Sequence, residues 1–240
     1  MRTRCGLMSV AMLLAAFVNG CSAHAAPGGA PHSPATASTS ARPESRHHKQ
    51  VDVVRSIDVG PEDIPSEFGS KNTFGSAGNH VIGYVTMDLC GADFFSEVLR
   101  TARHQVGYSA PSKDYLSTET VSYRDGGAST AMSELRRAIR TCPTGYVRST
   151  VAGTPPMKQD IAQLPHEGGW LPDTVAIAVT DSVKGGPRDY GVLIYQHQGN
   201  LVTAAYVYAG RGSTRLASHV ASLLAKRLEA ATGTAASSSS

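Results

Sequence analysis

A chain of 240 residues carries 22 Lys and Arg against 19 Asp and Glu, a formal net charge of +3. Arg2 and Arg4 lie in the first 20 residues, which hold no acid, so the remainder stands at only +1. So near-neutral a balance excludes a general electrostatic grip on nucleic acid or anionic lipid, and makes the sequence pI of 8.7 partly a property of the N-terminus.

The chain opens on Arg2 and Arg4, followed by Leu7 to Val18, a run of twelve residues with only Ser9 polar. A membrane-spanning helix needs about 20 apolar residues. A charged start, a short apolar run and small residues behind it describe an export signal; the structural alternative is a buried core helix. Val18-Asn19-Gly20-Cys21 resembles the lipobox of bacterial lipoproteins, although Asn19 departs from the usual small or β-branched residue. That resemblance implies lipidation of Cys21 and anchorage on the outer face of the cell membrane. Ala23-His24-Ala25 is a competing cleavage signal that would release a soluble, secreted protein.

Residues 21–50 are rich in Ala, Pro, Ser, Thr and Gly and read as a disordered tether. It closes on Arg46-His47-His48-Lys49, a solvated basic cluster rather than a metal site. Residues 232–240 form a low-complexity tail, which leaves residues 51–231 as one domain with room for a proper core.

Of four cysteines, Cys5 leaves with the signal and Cys21 is lipidated or removed. Cys90 and Cys142 remain, and in an oxidising compartment they predict one disulfide; two buried free thiols are the alternative. No C-x-x-C occurs, which argues against a zinc or thioredoxin-like site.

In chain order, Val81 to Met87 reads as a strand. Phe94, Phe95, Val98, Leu99 and Ala102 form a helical stripe after Cys90, and Thr118 to Arg124 reads as a second strand. From Ala128, the positions Ala131, Met132, Leu135, Ala138, Ile139 and Cys142 make a clean helical stripe ended by Pro143. Glu134, Arg136, Arg137 and Arg140 are expected on its outer face. Tyr146 to Val151 reads as a strand, Met157 to Leu164 as a short helix, and Thr174 to Thr180 as a strand. Asp181 to Gly186 reads as a hairpin loop. Tyr190 to Tyr208 is a hairpin turning at Gly199-Asn200, and a Leu-rich helix runs from Ser213 to Ala230. The fold class is α+β, a single domain with a mainly antiparallel sheet packed with helices and one disulfide.

The hairpin register pairs Gln198 with Leu201 and fixes two faces. Val192, Ile194, Leu201, Ala205 and Val207 make an aliphatic face for the helices. Leu193, Tyr195, His197, Val202, Tyr206 and Tyr208 share the other. The four polar-tipped members, Tyr195, His197, Tyr206 and Tyr208, suit a half-wet ligand surface; ordinary cross-strand packing is the alternative.

Val121-Ser122-Tyr123-Arg124-Asp125-Gly126-Gly127-Ala128, the helix ending Glu134 to Pro143, the Gly199-Asn200 hairpin and the last helix together resemble the PknH-like extracellular sensor domains of actinobacteria. The resemblance spans roughly residues 80–230 and rests on element order rather than on any single motif. It implies an antiparallel sheet flanked by helices and a ligand-binding cleft. This chain lacks a kinase domain and carries one cysteine pair where that sensor has two, so no functional residue transfers.

No catalytic motif is present. Gly107-Tyr108-Ser109-Ala110-Pro111 misses the second glycine of a nucleophile elbow, and His166-Glu167 lacks the second histidine of a zinc peptidase helix. The sequence therefore points to a lipoprotein module that binds or senses a small molecule or envelope component, with no cofactor and no metal. An envelope hydrolase with a dispersed catalytic set, or an interaction domain for a membrane protein partner, is the alternative.

Overall fold

The computed structural model describes residues 43–77, 87–124, 126–148 and 155–237. The elements are α1 (Pro43–Ile57), β1 (Ser70–Ala77), β2 (Arg100–Ser109), β3 (Tyr115–Tyr123), α2 (Gly127–Arg140), β4 (Met157–Gln163), β5 (Thr174–Val183), β6 (Arg188–Gln198), β7 (Leu201–Tyr208) and α3 (Ser213–Ser237). The strands form one sheet in the order β1-β2-β3-β7-β6-β5-β4, antiparallel at every step. It consists of two meanders, β1 to β3 and β4 to β7, that meet where β7 pairs with β3. The expected α+β class, antiparallel sheet and Cys90–Cys142 disulfide are all present.

Strand period two sends alternate residues to opposite faces. One face presents Ala102, Val106, Leu116, Ile194, Ala205 and Val207 to α1 and α3. On α3, Ala217, Ala221 and Ala225 recur every four residues and let the helix lie close to the sheet, while Val220, Leu224 and Leu228 fill the seam. The opposite face presents Val121, Tyr123, Ile177, Val179 and Val202 to α2. The hairpin has the expected register, Gln198 opposite Leu201, and divides its residues between the two cores as alternation requires.

Several local readings are corrected. The stripe from Phe94 to Ala102 is not a helix. Cys90 and Gly91 both take left-handed φ angles, of 60° and 63°, and only a 3₁₀ turn at Phe95–Leu99 follows before β2 begins at Arg100. Met157 to Leu164 is the edge strand β4, with Lys158 and Asp160 paired on its outside. Of Tyr146 to Val151, Val147 makes one bridge to Met157 and residues 149–151 lie outside the described residues. Val81 to Thr86 likewise lies outside them. Helix α1 begins at Pro43, so the last eight residues of the span read as a tether are helical. Glu134 is not on the outer face of α2 but 6% exposed. Its carboxylate accepts the backbone N–H groups of Phe95 and Ser96, both at 3.1 Å, and so caps the 3₁₀ turn.

A row of buried polar side chains crosses the α1/α3 face. His104, Thr120, Thr203 and Gln196 are successive register partners on β2, β3, β7 and β6. Gln196 donates to Ala221 O at 2.8 Å and accepts Leu171 N–H at 2.9 Å. Asp58, just past α1, lies 2.6 Å from His104 Nδ1 and accepts Thr120 Oγ1 at 3.0 Å. Arg227 of α3 donates to Asp58 O at 2.8 Å and grips both Asp63 oxygens. This knot joins α1, β2, β3 and α3.

Burial pushes the Asp58 carboxyl up from an ordinary 3.8 to about 6, against the opposing pull of His104 and Thr120. The folded chain thus holds this proton more tightly than the unfolded chain. The contribution of Asp58 to stability must fall as pH rises from about 4 to about 6, by about 3 kcal/mol in the limit. The amide introduced by Asp58→Asn cannot titrate. The stability deficit of that variant is therefore expected to be largest below pH 4 and to shrink by pH 6–7, as read from urea titrations at each pH. A deficit that grows across that interval contradicts the assignment.

Candidate functional site

A groove opens on the α2 side of the sheet, with no α2 residue in its wall. Its inner part has a volume of about 300 Å³ and is walled by Arg103, Glu119, Asp181, Tyr195, Tyr206 and Tyr208. An outer part of about 860 Å³ adjoins it, and Tyr115, Met157, Asp181 and Tyr208 line both. The two parts therefore meet at Asp181.

Register explains the convergence. Glu119 on β3 stands opposite Ala204 on β7, and Tyr195 on β6 stands opposite the same alanine from the other side. The small residue leaves room for the tyrosine and the carboxylate to reach across it. Tyr115 and Tyr208 are themselves register partners. Their rings splay apart over glycines of the neighbouring strands. A Cβ on Gly191 would stand 2.6 Å from Tyr208 Cε1, and one on Gly107 would stand 2.7 Å from the Tyr115 hydroxyl. The two glycines thus make the shelves on which these aromatic walls rest.

Two polar networks run through the wall. In the first, Arg103 Nε pairs with Glu119 Oε1, Tyr206 OH donates to Glu119 Oε2 at 3.1 Å, and the Tyr195 and Tyr206 side chains are hydrogen-bonded with their rings edge to face at 5.7 Å. Arg103 Nη2 also donates to Gln105 Oε1 at 2.6 Å, and Gln105 Nε2 to Ser117 Oγ at 2.9 Å. In the second, Tyr208 OH donates to Asp181 Oδ2 at 2.9 Å and Gln159 Nε2 to Asp181 Oδ1 at 3.0 Å. Gln159 Oε1 in turn accepts the backbone N–H of Cys90, so the disulfide is coupled to the groove wall.

Burial raises the Glu119 carboxyl above its ordinary range, opposed by Arg103. Burial also raises Asp181, helped by the like charges of Asp189 and Asp88 and opposed by hydrogen bonds from Gln159 and Tyr208. Burial and these carboxylates hold the Tyr195, Tyr206 and Tyr208 phenols well above their ordinary value, so all three stay neutral donors.

The structure brings together three of the four residues singled out on the hairpin face, Tyr195, Tyr206 and Tyr208. It leaves His197 apart. His197 shares their face but sits beside the turn, at the other end of the strand. Its Nδ1 lies 2.6 Å from Asp173 Oδ2 and its Nε2 lies 2.9 Å from Gly199 O. Arg136 of α2 also pairs with Asp173, so His197 fastens the hairpin tip to α2. Burial acts to raise Asp173, yet the bonds from Arg136 and His197 hold its carboxyl below the ordinary range. Glu119, Asp181, Arg103 and Gln159 escaped the sequence reading, since only strand pairing across the sheet gathers them. Cys21 lies outside the described residues.

A further cavity of about 560 Å³ lies on the opposite side of the sheet at the start of α3, between Glu62, Asp63, Asp114, Arg215 and His219. Among the described residues, no group of three or more His, Cys, Asp or Glu side chains is arranged to hold a metal ion. No helix among them is long and apolar enough to cross a membrane.

The chain is distantly similar in structure to the extracellular domain of PknH from Mycobacterium tuberculosis. Sequence identity is 12% and the TM-score 0.48, over 75% of this chain and 96% of that one. No family model matches the sequence, and no curated protein matches it.

Proposed function

We propose that the chain is an exported, membrane-tethered module that binds or senses a small molecule or envelope component in the groove over β3, β7 and β6, as a PknH-like sensor domain. In this proposal residues 1–20 are removed, Cys21 carries the lipid, and the folded domain extends outward. The observation that carries it is the groove wall: three neutral tyrosine donors, two raised carboxyls and a buried arginine converge on one concave space of ligand size. Concave sites lined by aromatic rings with a few fixed polar groups are the usual form of a small-molecule site.

The test uses the mature chain incubated with envelope extract and read by native mass spectrometry. A bound component is expected, with affinity reduced about tenfold or more in Tyr208→Ala, which removes an aromatic wall and the donor to Asp181. Wild-type protein that retains nothing from the extract refutes the proposal. The anchor is tested separately. Palmitate labelling is expected and should vanish in Cys21→Ala, whereas a mature N-terminus at Ala26 rejects it.

A further inference from the structure

We propose that the groove takes a small organic cation, its ammonium group seated at the Asp181 carboxylate beside the ring of Tyr208. The inference rests on the ligand-binding role proposed above and adds the charge class of the ligand.

The two carboxylates of the inner groove are treated differently by the fold. Glu119 has its counter-ion, Arg103, inside the protein. Asp181 is half-buried and its oxygens are met by neutral donors, the Gln159 amide and the Tyr208 hydroxyl. Among the described residues no cation pairs with Asp181, and the charges that act most on it are the like charges of Asp189 and Asp88. Lys113 and Arg188 line the outer part of the groove, but both side chains are solvent-exposed. A carboxylate held in a pocket beside two like charges lacks a positive partner, and the pocket leaves space for one at that point.

The walls around Asp181 select an organic cation over the other candidates. Tyr208 is held across Gly191, toward Asp181, whereas Tyr115 leans the other way across Gly107 and walls the far side of the groove. Ring faces attract ammonium groups through their quadrupole, most strongly where water is displaced. An anion would meet Asp181, Asp88 and Asp189 together. A bare divalent metal ion needs several converging oxygen or nitrogen ligands, and no such group exists among the described residues. A neutral ligand would leave the Asp181 charge unmatched and further dehydrated.

Choline chloride and its uncharged isostere 3,3-dimethylbutan-1-ol are the probes, titrated into the mature chain and followed by calorimetry and tyrosine NMR shifts. Choline is expected to bind at least about tenfold more tightly than the isostere and to shift the Tyr208 resonances. Asp181→Asn, which keeps hydrogen-bonding partners for Gln159 and Tyr208, should abolish that preference. A thermal melt checks that this variant is folded. If it is not, salt serves in its place: the wild-type preference should shrink as NaCl rises from about 20 mM to about 500 mM. Equal binding of the two probes, or a preference that survives both Asp181→Asn and salt, overturns the cation. Retention of an uncharged envelope component that is lost in Tyr208→Ala overturns the cation while leaving the binding groove standing. Absence of any bound component, charged or neutral, overturns both.

Discussion

Replacing Arg103 by methionine is expected to lower folding stability by about 3–5 kcal/mol, the range seen when one member of a buried ion pair is removed. Arg103 and Glu119 side chains are 7% and 2% exposed, and their contact joins β2 to β3 beneath the groove. Methionine fills much of the arginine stem volume, so packing alone does not account for the loss. The cost arises because Glu119 stays behind, buried on a central strand with the neutral Tyr206 hydroxyl donating to Oε2. Urea denaturation of the variant is the measurement, and a deficit below about 1 kcal/mol would show that the pair is not electrostatically important.

Two controls separate lost charge from lost shape. Without Arg103, the already raised Glu119 carboxyl must move further above its unfolded value. The folded variant then holds that proton more tightly than its unfolded chain, so its deficit shrinks as pH falls and deepens as pH rises. Adding Glu119→Gln removes the stranded charge and keeps an acceptor for Tyr206. The double variant is expected to recover a substantial part of the loss, since replacing both partners is far less costly than orphaning one.

This ion pair also shows where the sequence ceased to be informative. Helix α2 and the β6–β7 hairpin were legible because each carries its own period. Ala131, Met132, Leu135 and Ala138 repeat at helical spacing, and the hairpin alternates around Gly199-Asn200. Strand β2 was not legible. Arg100, Arg103 and His104 are buried there, and a strand with buried polar groups on both faces has no apolar alternation to detect. What permits their burial is Glu97, Glu119 and Asp58, and the last two lie far away in sequence. Strand β4 misled for another reason. Lys158, Gln159 and Ala162 favour helix locally, but the ladder to β5 decides the conformation. The site shows the same division. Face parity placed Tyr195, His197, Tyr206 and Tyr208 together correctly. The register itself sets His197 beside the turn; where along the strands the groove opens is what depends on the docking of the other elements. Asp181 and Gln159 reach the groove through the β4–β5 register, which no local pattern encodes.

Opening the Cys90–Cys142 disulfide is expected to cost about 4 kcal/mol, because the bond closes a loop of 52 residues and restricts the unfolded chain accordingly. The double variant Cys90→Ala with Cys142→Ala, compared with wild type in urea, measures it. A loss below about 1 kcal/mol would mean that the segment from Cys90 to β2 is held by its other contacts, chiefly the Glu134 carboxylate on Phe95 and Ser96. The bond also has a local consequence that chain entropy does not describe. The Cys90 N–H is fixed against Gln159 Oε1, and the same amide donates to Asp181 at the junction of the groove. Cys142 Sγ lies 3.8 Å from the Gln159 carbonyl, so both half-cystines brace one residue of β4. That strand ends the sheet: among the described residues it pairs with β5 along its length and with Val147 through one bridge at Met157, so it has few other restraints. Reduction should therefore loosen β4 before the rest of the fold. Amide exchange at Asp160 and Ala162, whose N–H groups face β5, should rise under conditions where the β3 and β7 amides remain protected. If exchange instead rises uniformly across the sheet, the disulfide acts on the unfolded chain alone and the groove does not depend on it.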